Sequence, residues 1–103
     1  MKHFTINKPE TNVKYKKRTG VYAIIKNNLN EIILVKNANG YFLPGGGMEN
    51  NETKEQCLKR ECLEEIGLKI NIKQYLCSGT FFYHSSYRNI YLENLGHFYK
   101  ASA

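Results

Sequence analysis

What this sequence lacks narrows it first. No stretch comes near the roughly 20 consecutive apolar residues of a membrane span, and residues 1–10 lack the apolar run of a secretory signal. A soluble, cytoplasmic chain with no membrane partner is the expectation. Cysteine is scarce: Cys57, Cys62 and Cys77 are odd in number, sit at spacings that match no zinc pattern, and have no histidine close in sequence to complete one. They read as reduced thiols, with packing as the role of Cys57 and Cys62. There are no internal repeats, low-complexity segments or linkers, and 103 residues exclude two full domains. Acidic charge is in deficit, with 9 Asp and Glu against 15 Lys and Arg and a net charge of +6. Such an excess favours an anionic partner and would steer a phosphate-bearing substrate. Lys14, Lys16, Lys17 and Arg18 supply much of it, and they are better read as a solvated strand edge that guards against aggregation. A nucleic-acid footprint needs basic residues interleaved with stacking aromatics along one face. Tyr15 alone does not supply that, so nucleic acid is not the expected partner.

What is present is the composition of a globular protein, 42% hydrophobic and 23% charged, which separates it from a disordered tail. Val21-Tyr-Ala-Ile-Ile25 is rich in β-formers, the asparagines at 27, 28 and 30 mark a turn, and Glu31 to Lys36 reads as the second arm of a hairpin. Tyr41 to Leu43 is a short strand ended by Pro44 and three glycines. Thr53 to Ile66 reads as the one helix. Thr53 and Gln56 form a capping box, Gly67 can take the left-handed conformation that stops a helix, and Leu58, Cys62 and Ile66 make a stripe that docks on a sheet. Further strands are expected over Ile70–Tyr83 and Ile90–Tyr99, joined by a polar turn from His84 to Asn89.

On a helical wheel Glu61, Glu64 and Glu65 share an arc of roughly 100°, bordering the apolar stripe that holds Cys62, with Cys57 nearer the acidic side. Like charges this close raise one another's pKa unless something positive lies among them. Carboxylate oxygens are the ligands that Mg2+ and Mn2+ prefer. On the glutamates alone, a surface helix is the better reading, with Glu64 paired to Arg60 and with Lys54 and Lys59 balancing the rest. Gly45, Gly46 and Gly47 just upstream add flexible backbone whose amides, with the positive helix end, can face phosphate. Taken separately, that too is best read as a plain strand-to-helix connection.

Jointly the two features spell one pattern. Gly46-x5-Glu52-x7-Arg60-Glu61-Cys62-x-Glu64-Glu65-x-Gly67-Leu68, led in by Leu43-Pro44-Gly45-Gly46, resembles the Nudix box of the MutT-like hydrolases. Cys62 departs from the pattern, standing where the family prefers a larger aliphatic on the buried stripe. The resemblance implies an α+β fold, the α/β/α Nudix sandwich, with residues 1–103 as a single domain and the loop and helix of residues 44–68 as its chemical centre. It implies Mg2+ or Mn2+ held by Glu61, Glu64 and Glu65, with the Gly45 carbonyl as a further candidate ligand. Arg60 and Glu52 would orient the loop and the helix, and Glu61 is the first candidate for general base, a role that relatives sometimes give to a loop outside the box.

The implied reaction is hydrolysis of a nucleoside diphosphate linked to another group, X: a nucleoside triphosphate, dinucleoside polyphosphate, ADP-ribose or nucleotide sugar. The alternative is a Nudix-fold module that binds nucleotide or a partner chain without turnover. Among Tyr41, Phe42, Phe81, Phe82, Tyr83, Tyr87 and Tyr91, one or two could stack on a nucleobase, though core packing is the better reading for each. His84 and Arg88 read first as a solvated hairpin tip. The resemblance begins near Thr19, and the family's domain continues past position 103 with more strand and a second helix, so one sheet face is expected to be bare unless residues 1–17 or a second copy of the chain cover it. Glu93 has only its charge to recommend it as a replacement ligand.

Overall fold

The computed structural model describes residues 2–86 and 88–103. Two β-rich segments dominate it. Strand β2 (Tyr15–Ile25) lies parallel to β7 (Ile90–Ser102) along its whole length, from Tyr15 opposite Tyr91 to Ile25 opposite Ala101. β7 in turn pairs antiparallel with β6 (Asn71–Ser85). Two short strands complete the mixed sheet. β1 (Lys2–Ile6) adds parallel to the outer edge of β6, and β5 (Gly45–Gly47) runs antiparallel to Gly20–Tyr22 of β2, giving the order β1-β6-β7-β2-β5. β3 (Val35–Asn37) and β4 (Gly40–Phe42) form a separate hairpin.

Helix α1 (Lys54–Ile66) forms where its local signals put it. Thr53 caps it, the Gln56 amide donating to the Thr53 hydroxyl (3.1 Å) and the Gln56 side chain accepting from Thr53 N–H (2.9 Å), while Gly67 closes it at φ 67°. Alternation along β2 turns Val21, Ala23 and Ile25 to one face, where they bury with Tyr99 and Ala101 against Cys57, Leu58 and Cys62 of α1. The stripe therefore docks as expected. Leu58 has no exposed surface, so Leu58→Ala should cost about 2–5 kcal/mol, read as a lower urea midpoint at unchanged m-value. A loss under 1 kcal/mol, on the order of a surface change, would mean that the helix is not seated there.

The opposite face carries Tyr22, Phe81, Asn94 and Phe98 and has no helix among the described residues. The first residues of the chain contribute a strand to this sheet. Phe4 of β1 stands beside Gly79, where a side chain would collide with its ring, and reaches Phe81 and Phe98 at 5.6 and 5.7 Å between centroids.

Three local readings need correction. β2 begins at Tyr15, six residues before the β-forming run, because pairing with β7 holds its basic end in the sheet. The expected arm over Glu31–Lys36 shrinks to one bridge, Lys26 to Ile32, and the Ile33 amide on the Ile25 carbonyl (3.1 Å). The edge it would need is taken: β5 occupies Gly20–Tyr22, and Ala23 N–H donates to Pro44 O (2.9 Å). Finally, the glycines at 45–47 are not a flexible loop at the helix start. They are a paired strand lying beside α1 at Cys57, Glu61 and Glu65, away from the Thr53 cap.

Candidate active site

The site is built around Arg60. Its Nε and Nη2 grip the two oxygens of Glu52 (3.1 and 2.8 Å), Nη2 also donates to the Gly47 carbonyl (3.3 Å), and Nη1 reaches Glu61 Oε1 (3.0 Å) and Glu64 Oε2 (3.4 Å). Glu52 Oε1 additionally accepts from the Glu49 amide (2.8 Å), closing the turn that leads into the helix. One guanidinium thus ties turn, strand β5 and helix into a single body. In this arrangement Arg60 and Glu52 hold the turn, the strand and the helix together.

The hydrogen bond from Arg60, then the one from the Glu49 amide, hold the Glu52 carboxyl down to about 2, and the Arg60 pKa is raised in return, chiefly by the hydrogen bond to Glu52. A carboxyl depressed on folding adds stability above its ordinary value of 4.5, and that stability is lost as pH falls toward 2. The melting temperature of Glu52→Gln should therefore lie below that of the parent chain at pH 6, and the gap should close between about pH 4.5 and 2. A gap constant over that range would exclude the ion pair as its source.

Glu61 is half-buried, and its carboxyl is raised by burial, against the lowering effect of Arg60 and with help from the charges of Glu64 and Glu65. It lies flat on β5. A Cβ at Gly46 would stand 2.5 Å from Glu61 Cδ, so a side chain there would push the Glu61 carboxylate out of its present place. One turn on, Glu65 Oε1 accepts from Gly45 N–H at 2.9 Å. The backbone of the glycine strand is thus engaged by the helix: Gly45 binds Glu65, and the carbonyls of Gly46 and Gly47 take the Cys57 thiol at 3.7 and 3.6 Å. Of the three amides expected to face phosphate, that of Gly45 donates to Glu65 here.

The donor set on this face is all carboxylate oxygen, the type that holds a hard divalent cation, and a cation would relieve both the burial that chiefly raises Glu61 and the repulsion from Glu64 and Glu65 that adds to it. As placed, however, Glu61 and Glu64 turn to Arg60 while Glu65 turns to Gly45, and no three such side chains among the described residues converge on one point. The neighbouring thiols are out of the chemistry. Burial first, then Glu52, pushes Cys57 up to about 12, and burial, then Glu65, pushes Cys62 up to about 11.

On the opposite face a cavity of about 380 Å³ is lined by Tyr22, Phe42, Phe81, Tyr83, Asn94 and Phe98. Leu43 also lines it, and two residues later Gly45 meets Glu65, so the cleft and the acidic end of α1 share one segment. Of the aromatics singled out in the sequence, Tyr41, Phe42, Phe81 and Tyr83 belong to this cleft. Phe82 and Tyr91 instead pack on Tyr15 at 5.4 and 5.7 Å, and Tyr87 lies outside the described residues. His84 is exposed and bonded to Asn89 (3.1 Å), as a hairpin tip should be. Glu93 sits in register with Lys17 and Phe82, and it joins no cluster of three potential ligands among the described residues. The residues missed were Tyr22, Asn94 and Phe98. Strand alternation could have found Tyr22, since it faces away from the buried Val21 and Ala23.

Residues 16–102 match the NUDIX domain family. The chain belongs to the Nudix family. It is 36% identical over 67 residues to Nudix hydrolase 17, mitochondrial, of Arabidopsis thaliana, covering 63% of this chain and 36% of that protein. Its fold is that of the MutT protein from Methanosarcina mazei Go1 (TM-score 0.68, 21% identity, 86% of this chain and 65% of that one). A Nudix hydrolase from Nitrosomonas europaea is similar too, at TM-score 0.62 and 26% identity over 86% of this chain and 49% of that one. This Nudix chain therefore spans about a third of the curated relative and less than two thirds of the M. mazei protein. Among the described residues, the mixed sheet with one helix is consistent with the Nudix α+β fold.

Proposed function

We propose that this Nudix domain hydrolyses the pyrophosphate linkage of a nucleoside diphosphate joined to a further group X, with Mg2+ or Mn2+ as cofactor. The observation that carries the reading is the set of glutamates that Arg60 holds on one side of α1, against a strand in which Gly46 leaves room for Glu61. Glu61, Glu64 and Glu65 fit such a cation by ligand type and by their place on one helix turn, and they would hold it, with the Gly45 carbonyl as a further ligand. When bound, the cation supplies positive charge that neutralises phosphate oxygens and acidifies water. Water then adds to one phosphorus, the bridging P–O bond breaks, and two phosphate products leave. Glu61 takes the proton from that water at Oε2, the oxygen that Arg60 does not bind. The aromatic cleft receives the nucleobase, where Tyr22, Phe81 and Phe98 offer ring faces.

Product analysis on a panel of nucleoside triphosphate, dinucleoside polyphosphate, ADP-ribose and nucleotide sugar tests this. Turnover with Mg2+ or Mn2+ that stops on chelation and resumes on resupply is expected. Nucleotide binding without turnover on any member would instead establish the binding module, a reading favoured by the fact that the three carboxylates do not converge as placed.

A further inference from the structure

One charged concavity takes no part in that chemistry. It measures about 450 Å³ and gathers Lys16, Lys17 and Arg18 from the start of β2, Arg88 from the β6–β7 turn, and Gly47 and Glu49. Glu49 is its one carboxylate, and that group leans toward Arg60 (3.8 Å). None of the four cations makes an ion pair among the described residues. Segments far apart in sequence thus bring like charges together, an arrangement that costs energy unless an anion joins it.

Protection of a strand end from aggregation explains exposed lysines such as Lys16 and Lys17, but it does not explain Arg18. That side chain is half-buried, and its Nη1 donates to Asn94 Oδ1 (3.0 Å) and to the Tyr22 hydroxyl (3.3 Å). Asn94 is 2% exposed and itself donates to Tyr22 (3.3 Å), so a buried amide is committed to aiming a guanidinium. The far edge of that guanidinium lies on β5, where a Cβ at Gly47 would stand 3.0 Å from Arg18 Nε and Nη2. The carbonyl of the same Gly47 holds Arg60. One residue therefore separates the basic concavity from the glutamates.

We propose that this concavity seats a phosphate of the substrate other than the two joined by the bond that is cut, so that the preferred X carries phosphate of its own and is not a neutral sugar. The inference rests on the hydrolase reading and deepens it. Arg18 presents a planar fork to phosphate oxygens, while Lys16, Lys17 and Arg88 supply charge around it. None of the described lining side chains is aromatic, so the site lacks the stacking platform of a single-stranded nucleic acid groove.

Two exposed positions allow a test that leaves the Arg18–Asn94 network intact: the double variant Lys16→Ala with Arg88→Ala. Isothermal titration with inorganic tripolyphosphate, free of divalent cations, should show binding to the parent chain that weakens with salt and is at least about tenfold weaker in the variant. In turnover, the parent chain should favour a dinucleoside tetraphosphate over a nucleotide sugar. The variant should lower that kcat/KM ratio by about tenfold, through KM for the charged substrate. Equal tripolyphosphate binding by both proteins, or binding by neither, overturns the proposal, as does an unchanged kcat/KM ratio. A parent chain that binds tripolyphosphate but turns over neither compound removes the hydrolase reading and leaves the phosphate seat standing.

Discussion

Replacing Glu61 by glutamine is expected to cut turnover by about 100- to 10,000-fold, the range lost with a general base, while the fold survives. Glutamine keeps the shape that Gly46 accommodates and still offers an oxygen to Arg60 Nη1. What it removes is the proton acceptor and one negative charge of the three on that helix face. Glu65→Gln separates the two contributions. It retains an acceptor for Gly45 N–H but deletes a charge on a residue with no proposed part in proton transfer. If Glu61 is both ligand and base, Glu61→Gln should stay inactive at any Mn2+ concentration, whereas Glu65→Gln should recover part of its rate as Mn2+ rises. Full activity in both variants would sink the metal assignment, with circular dichroism confirming that each chain is folded.

Gly45→Ala should strike stability instead. Gly45 has φ 144°, and a Cβ there would collide with the Val21 carbonyl and stand 2.8 Å from Tyr22 Cα. Backbone strain alone should cost more than about 1 kcal/mol, and the collision should break the β2–β5 pairing that carries the Gly45 contact to Glu65. Gly40 is the control. It has φ 127° and nothing within 4 Å of an added Cβ, so Gly40→Ala carries strain without collision. Urea unfolding should place the Gly45→Ala midpoint well below that of Gly40→Ala. Coincident midpoints would show that the close approach of β5 to β2 contributes nothing beyond the glycine conformation.

The contrast between these two variants follows a wider division in the molecule. Glu61, Glu64 and Glu65 were legible as a group because residues three and four apart on a helix are neighbours whatever surrounds them. Arg60 and Glu52 came with the family pattern, and the structure adds what they do: a two-oxygen grip that also reaches the Gly47 carbonyl. The glycines were harder. Three in a row read locally as a mobile loop, and nothing nearby in sequence says that Gly20–Tyr22 will take them as a strand. The same holds for Arg18, which reads as one more cation in a basic run until Asn94, 76 positions away, is seen to aim it.

By itself, then, the sequence determined the helix, its caps, its buried stripe and the acidic arc beside it, since each depends on contacts within about one helical turn. It also determined the family, through glycines, glutamates and an arginine at set spacings. Only the tertiary structure decided the length of β2, the pairing of the glycine strand, which aromatics share a cleft and which cations share a concavity. Those features depend on strand register, and register is settled by partners distant in the chain, where a shift of one residue turns every side chain to the other face.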